Sequence, residues 1–223
     1  MRLKVNFTQN TENVPFTYLN KLISYIHKIL GDNNQYHDAF SNYQISRLNG
    51  SIFDKKNNCL QFKNGGYFYV ASLDMEFITS FITKIYSNND FGYGMKLVSV
   101  EKVPDEITNI KKVAEDVYYI TPKSPILLKE SDNKKTKFFT FKDNPEIVNL
   151  KMKNIIMKGL KMNNIPINDF EISFDVESLN KKTKSDLIGN IYNVSSICPL
   201  ILKTKDLQLI NFIKNFGVGN SRG

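Results

Sequence analysis

The sequence predicts an α+β protein made of two successive domains, and three features carry that expectation. Strand-like alternation and helix-like periodicity interleave along all 223 residues. In the first half the order is strand, helix, strands, helix, strand, the βαββαβ plan of a ferredoxin-like (RRM-like) unit with an extra hairpin. A break near Pro104 then precedes a similar order, so the expected domains are 1–104 and 105–223.

In the first domain, residues 2–8 (RLKVNFT) place Leu3, Val5 and Phe7 on one face and Arg2, Lys4 and Asn6 on the other, a half-buried strand. After the turn-like 9–15, Leu19, Leu22, Ile23, Ile26 and Leu30 form a helical stripe closed by Gly31. The polar stretch 32–42 reads as a loop. Residues 43–48, 59–62 and 67–73 are strand-like, and Asn64-Gly65-Gly66 between the last two predicts a tight hairpin. Asp74 suits the N-cap of a helix whose Phe77, Ile78, Phe81, Ile82 and Ile85 repeat at helical spacing, and 94–103 supplies a further strand.

The second domain follows a linker at 104–109. Residues 117–121, 126–129 and 137–141 read as strands. Asn144-Pro145-Glu146 is an N-cap, a first-position proline and a first-turn acid, which start a helix running to about residue 162. Residues 170–176 alternate as a strand, 189–203 hold one or two more, and 206–215 form a short helix with Leu207, Leu209, Ile210 and Ile213 inward. This half matches βαββαβ less cleanly than the first.

Composition narrows the function. No apolar run approaches the roughly 20 residues that span a bilayer, and residues 1–8 alternate instead of forming a signal-peptide core. A soluble, intracellular protein that does not engage a membrane is expected. Cys59 and Cys198 are far apart and outside any CxxC pair, which reads as two unpaired core thiols; with two histidines, a protein-built zinc site is not expected. Thirty basic residues oppose 22 acidic ones, and the excess is uneven. Residues 1–110 hold 11 basic and 10 acidic side chains, whereas 111–223 hold 19 and 12. A one-sided basic field suits a polyanion. The plainer reading is AT-rich codon usage, since the chain is also rich in Asn and Ile and poor in Arg.

Four features recur in one order. They are the N-terminal strand, a first helix leading to a loop histidine (His37), the Tyr-x-x-Ser-x-Leu strand from Tyr43 to Leu48, and the glycine-rich end Phe216-Gly217-Val218-Gly219-Asn220-Ser221-Arg222-Gly223 after a short helix. Taken alone, those glycines could simply cap the helix. Together the four resemble the CRISPR-associated repeat-processing endoribonucleases of the RAMP superfamily, which cut precursor CRISPR RNA within each repeat. The resemblance implies two tandem ferredoxin-like domains, binding of repeat RNA as precursor and mature product, cleavage without a cofactor or metal, and a location in the prokaryotic cytoplasm. It also implies a phosphate-approaching role for Gly217, Gly219, Ser221 and Arg222, near the cleft between the domains. The family's loop usually continues to a second Gly-aromatic-Gly group, so a shorter loop is expected here.

The implied reaction is attack of a ribose 2′-OH on the adjacent phosphorus, giving a 2′,3′-cyclic phosphate and a 5′-OH. RNA carries its own nucleophile, so the protein need only move protons and stabilise phosphorane charge. Histidine, with an ordinary pKa of about 6.5, suits the proton transfers. His37 lies where the family places its catalytic histidine; the alternative is a solvated side chain bonded to Asp38. His27 flanks the helical stripe as a second proton-transfer candidate or a boundary packing residue. Tyr25 and Tyr43 are candidates for supporting roles, with packing as the alternative, and Tyr25 and His27 diverge by roughly 160° around the helix.

RNA-binding candidates concentrate in the second half. Lys151, Lys158 and Lys161 share a helix face with Asn154. Lys181-Lys182-Thr183-Lys184 resembles a basic hairpin tip, and Lys134, Lys135 and Lys137 a second basic turn, unless each is simply solvated. Tyr67 and Tyr69 alternate on a strand, suited to base stacking or to packing on the sheet face. The competing reading is a non-catalytic CRISPR RNA-binding subunit whose partners are other subunits of an effector complex; a metabolite-binding α+β protein is the blandest. The oligomeric state stays open, a homodimer included.

Overall fold

The structure is a computed structural model that describes residues 1–31, 43–104, 110–122, 124–132, 135–167, 169–188 and 190–219. The chain separates into two compact units at Pro104. Each is ferredoxin-like. No described helix is long and apolar enough to cross a membrane.

The first unit runs β1 (Arg2–Phe7), α1 (Leu19–Leu30), β2 (Tyr43–Ile45), β3 (Ile52–Asp54), β4 (Cys59–Gln61), β5 (Gly66–Ser72), α2 (Met75–Ile85), β6 (Asp90–Gly92) and β7 (Met95–Lys102). Its antiparallel sheet has the order β2-β5-β1-β7-β6, which is the ferredoxin order with β6 added at one edge. The alternation of β1 is realised in full. Leu3, Val5 and Phe7 are buried and pair with β5 on one side (Val5 opposite Phe68) and β7 on the other (Val5 opposite Val100). Against that face pack Leu22, Tyr25, Ile26 and Ile29 of α1 and Phe77, Ile78, Phe81 and Ile85 of α2. Tyr25 and Ile29 therefore join the helical stripe, whereas Ile23 is only half-buried. Phe7 centres an aromatic cluster, 5.9 Å from Tyr25, 5.7 Å from Phe68 and 5.2 Å from Phe91. Asp74 caps α2 as the sequence predicts, accepting from the backbone N–H groups of Glu76 and Phe77.

One expected pairing is corrected. Asn64-Gly65-Gly66 does not close a hairpin between 59–62 and 67–73, because β4 pairs with β3. Both edges of β5 are already taken, by β1 and β2, so no ladder positions remain for β4. The glycine turn instead hands the chain from the small β3–β4 hairpin to the main sheet. Gly65 sits at φ +82°, donates its N–H to the Phe62 carbonyl at 2.9 Å, and passes directly against the Phe7 carbonyl oxygen.

The second unit comprises β8 (Ile110–Ala114), β9 (Val117–Ile120), β10 (Leu128–Asp132), β11 (Lys135–Phe139), α3 (Pro145–Met162), β12 (Glu171–Phe174), β13 (Lys182–Ile188), β14 (Ile191–Ile197), β15 (Leu200–Lys203) and α4 (Leu207–Phe216). Its four-stranded sheet has the order β12-β15-β9-β8, with β10–β11 and β13–β14 as separate hairpins. The ferredoxin sequence is β9-α3-β12-β15-α4. The fourth place, beside β9, is filled by β8, which precedes β9 in the chain. That substitution is why this half fits βαββαβ poorly when read linearly. Asn144 caps α3, accepting from Glu146 and Ile147, with Pro145 in the first turn. Phe212 and Phe216 of α4, stacked at 4.6 Å, pack against α3 at Gly159.

Gly65→Ala combines an unfavourable φ with a collision against backbone that cannot move aside. It is expected to cost about 1–3 kcal/mol, read as a lower urea midpoint with an unchanged m-value.

Candidate nucleic-acid interface

The end of α1 is fixed from three directions. The Gly31 N–H donates to the His27 carbonyl at 2.9 Å. The Lys84 ammonium of α2 donates to the Leu30 carbonyl at 3.0 Å, placing a cation at the negative end of the helix. The Tyr25 hydroxyl donates to the Asn88 carbonyl at 2.7 Å. His27 lies on this last turn, half-buried, with Nδ1 inside the protein. His37 lies outside the described residues. The stretch that carries it begins where this anchored helix ends.

The structure places Tyr25 and Tyr43 in the core. Tyr25 is edge-on to both Phe7 and Phe91, and burial, with Asp90 nearby, pushes its hydroxyl ionisation above the ordinary tyrosine range. Tyr43 is stacked on Phe77 at 4.7 Å and 10°. Both rings are spent on packing between β-strands and helices.

In the second unit the basic run takes a different form from the expected hairpin tip. Lys182 and Lys184 lie along β13, exposed and on one face, at the base of a long hairpin. The hairpin extends to the Ile188–Ile191 pair, and there Ile191 and Tyr192 are 52% and 68% exposed. Lys181 precedes the strand, and its ammonium donates to the Val176 carbonyl. The base of the hairpin is tied down by hydrogen bonds. The buried Ser195 hydroxyl donates to the Lys184 carbonyl at 3.1 Å, and Ser196 exchanges backbone hydrogen bonds with Ile126 at 2.7 and 2.9 Å. The buried Ser196 hydroxyl accepts from the Phe141 N–H at 3.1 Å.

The beginning of the glycine-rich segment reaches the same place. Gly217 ends α4 at φ +84°, Val218 is buried, and Gly219 lies against the backbone of Leu127 and the side chain of Ile126. A Cβ at Gly219 would stand 2.9 Å from the Leu127 oxygen, so this glycine is required for close packing whatever its part in binding. Gly219, the 126–127 segment, β14 and β13 thus lie in succession. The lysine-bearing strand is two strand spacings from Ile126, about 10 Å. Ser221 and Arg222 lie outside the described residues, as does Lys134.

The lysines of α3 do not form one uniform basic face. Lys151 is 3.0 Å from the Glu130 carboxylate and stands over the Phe139 ring at 4.4 Å, so its charge is used to dock α3 on the β10–β11 hairpin. Lys158 and Lys161 are exposed. Lys135 and Lys137 belong to β11. Sequence reading gave 126–129 as a strand but not its place beside Gly219, and it missed the full extent of β13–β14. For the latter a signal was present, since Gly189-Asn190 between two β-rich runs marks a two-residue hairpin turn. Among the described residues, no three His, Cys, Asp or Glu side chains gather as a metal-ligand set.

No protein-family model matches the chain, and no curated protein matches it by sequence. Solved structures do match its fold over nearly its whole length. The product of a Cas6-related gene from Pyrococcus furiosus is 16% identical and superposes with a TM-score of 0.77 over 99% of this chain and 93% of its own. A RAMP protein described as binding different RNA substrates is 14% identical, with a TM-score of 0.75 over 99% and 97%. A Thermus thermophilus Cas6 product complex is 13% identical, with a TM-score of 0.64 over 98% and 95%. The chain has the Cas6-like fold.

Cys198, at the junction of β14 and β15, is buried and donates to the Asp175 carbonyl at 3.4 Å. Burial, reinforced by Asp175, pushes its thiol up to about 11. At pH 8 about one molecule in a thousand would then carry the reactive thiolate. Native protein should therefore leave Cys198 unlabelled by iodoacetamide on a timescale that fully labels the urea-unfolded chain, as read by peptide mass spectrometry.

Proposed function

We propose that this protein is a metal-independent endoribonuclease that cleaves CRISPR repeat RNA. The observation that carries the reading is the Cas6-like fold shared across both units. The basic strand β13 and the start of the glycine-rich segment, joined through the 126–127 segment and β14 of the second unit, support an anionic ligand there. Lys182 and Lys184 attract the phosphate backbone, with Lys158 and Lys161 of α3 as further cations. Contacts of this kind supply salt-dependent affinity, while the choice of RNA comes from stem shape or unpaired bases.

In the proposed step the ribose 2′-oxygen attacks the adjacent phosphorus as a base removes its proton. The P–O5′ bond breaks, and the departing 5′-oxygen takes a proton from an acid. The products are a 2′,3′-cyclic phosphate and a 5′-OH. His37 is assigned one of the two proton transfers. The fixed end of α1 defines where its polar stretch begins, and His27, on that same last turn, is the candidate for the other. Tyr25 serves by holding α1 to the Asn88 carbonyl, a positioning role instead of a chemical one.

Three results are expected. His37→Ala abolishes cleavage, in EDTA, of a CRISPR repeat RNA that the wild type cuts, while filter binding of the same RNA changes little; full activity would reject the assignment. Replacing the scissile ribose by 2′-deoxyribose stops strand breakage, since the nucleophile is gone. Lys182→Gln with Lys184→Gln lowers the slope of log K against log salt by about 1.4 to 1.8, one phosphate contact per lysine, and leaves the cleavage rate at saturating protein unchanged.

A further inference from the structure

Among the described strands, the second unit's sheet ends on one whose outer edge is open, with a groove beside it that the proposed cleavage does not use. β12 stands at the end of the order β12-β15-β9-β8. The Asp175 N–H donates to the Pro199 carbonyl at 2.8 Å. The alternation of an antiparallel ladder then turns the N–H and C=O groups of Ile172 and Phe174 away from β15, towards the open edge. Along Phe170–Ser173 lies a groove of about 410 Å³, with Leu150 and Lys153 of α3 as its other wall. The helix side is apolar. Ile147 and Leu150, 47% and 59% exposed, share a stripe of α3, and the Lys153 ammonium lies 5.3 Å from the centre of the Phe170 ring, so its stem extends the strip. The other face of β12 is acidic. Asp169, Glu171 and Asp175 occupy alternate positions about Ser173; Glu171 is bonded to Lys203 at 2.8 Å, and Asp169 and Asp175 flank it.

We propose that β12 accepts an extended segment of a partner protein as an added strand, one whose residues alternate between apolar and basic. Its main chain completes the ladder at Ile172. Its apolar side chains lie against Leu150 and the Lys153 stem, and its basic ones meet Asp169 and Asp175 on the other face. A second copy of this chain is a poor occupant. Two-fold antiparallel pairing centred on Glu171, Ile172 or Ser173 sets Glu171 against itself, Asp169 against Asp175, or Glu171 against Asp175, and like charges directly opposite are destabilising. The same charges guard an open edge against self-association. The inference does not depend on the RNA cleavage proposed above.

The test titrates the full chain with a fluorescein-labelled, end-blocked peptide of about eight residues alternating Lys and Val. One control peptide has Glu in place of Lys. Another is N-methylated at the valines, the residues whose N–H groups face Ile172. The Lys–Val peptide is expected to bind about tenfold more tightly than either, although the chain's net charge of +8 favours the Glu form. On binding, amide exchange at Ile172 and Phe174 should slow. Leu150→Ser should weaken the peptide about tenfold and leave repeat-RNA binding unchanged. Asp169→Asn with Asp175→Asn should weaken it too and flatten its salt dependence. Circular dichroism verifies folding, and if the double variant is unfolded, Asp169→Asn alone carries the expectation in smaller measure. Absence of binding at about 1 mM peptide, equal affinity for the N-methylated form, or wild-type affinity in folded Leu150→Ser would overturn the proposal. So would a loss of repeat-RNA binding in Leu150→Ser, which would give the groove to nucleic acid, or a monomer–dimer equilibrium weakened by that variant, which would give it to a second copy. The peptide results stand whether or not the wild type cleaves RNA, so the two readings fail separately.

Discussion

A strand hydrogen-bonded along both edges, β1, is the constraint on which the first unit depends. With neighbours on either side it cannot slip by one residue without sending Leu3, Val5 and Phe7 into solvent and Arg2, Lys4 and Asn6 into the core. Each of the three apolar side chains gains roughly 1.5–3 kcal/mol by burial. The same register that secures the core therefore also decides which polar groups share the opposite face. Phe7 extends this control outwards, because its contact with Tyr25 ties the sheet to the end of α1, and the Tyr25 and Lys84 hydrogen bonds then fix where that helix stops.

In the second unit, close backbone approach takes the role that register has in the first. Gly219 against Leu127, Ile126 against Ser196, and the Ser195 hydroxyl on the Lys184 carbonyl form a connected series. Through it, the start of the glycine-rich segment and the basic strand are held in a defined relation by groups that carry no charge. The cations are then surface additions on a hydrogen-bonded support. That division of labour suits the polyanion binding proposed here, because lysines left in water keep their hydration until a ligand arrives.

Much of this was legible in the sequence wherever the determinant is local. The alternation of 2–8, the caps at Asp74 and Asn144 and the helices α1, α2 and α4 depend on neighbours within a few residues and appear where the patterns put them, although Leu207, expected inward on α4, is exposed, and Ile23 and Ile210 are only half-buried. Determinants that join distant segments were not legible. Whether β4 pairs with β5 depends on who else claims the edges of β5. The basic run at 181–184 has the composition of a turn, yet β14 takes most of it as one side of a hairpin, and the base of that hairpin is bonded through Ser196 to Ile126, far away in the chain. Lys151 reads as an RNA contact from helical spacing alone, but Glu130 and Phe139 come to it from a hairpin on the other side of a turn. The candidate site divides the same way. Residue types suited to the chemistry could be named, whereas which tyrosines were free to take part could not, since packing decides that.

The position of β8 has a consequence for how the second unit is made. A strand that would ordinarily close the sheet after α4 has been moved to the front, which amounts to a circular permutation within the unit. Its pairing with β9 is then a local hairpin, available early in synthesis and at small loop-closure entropy. With β8 in that place, the described residues beyond α4 add no strand to the sheet, and Gly219 lies against Leu127 instead. Val218 and Gly219 thus escape the demands of strand pairing and meet those of close packing.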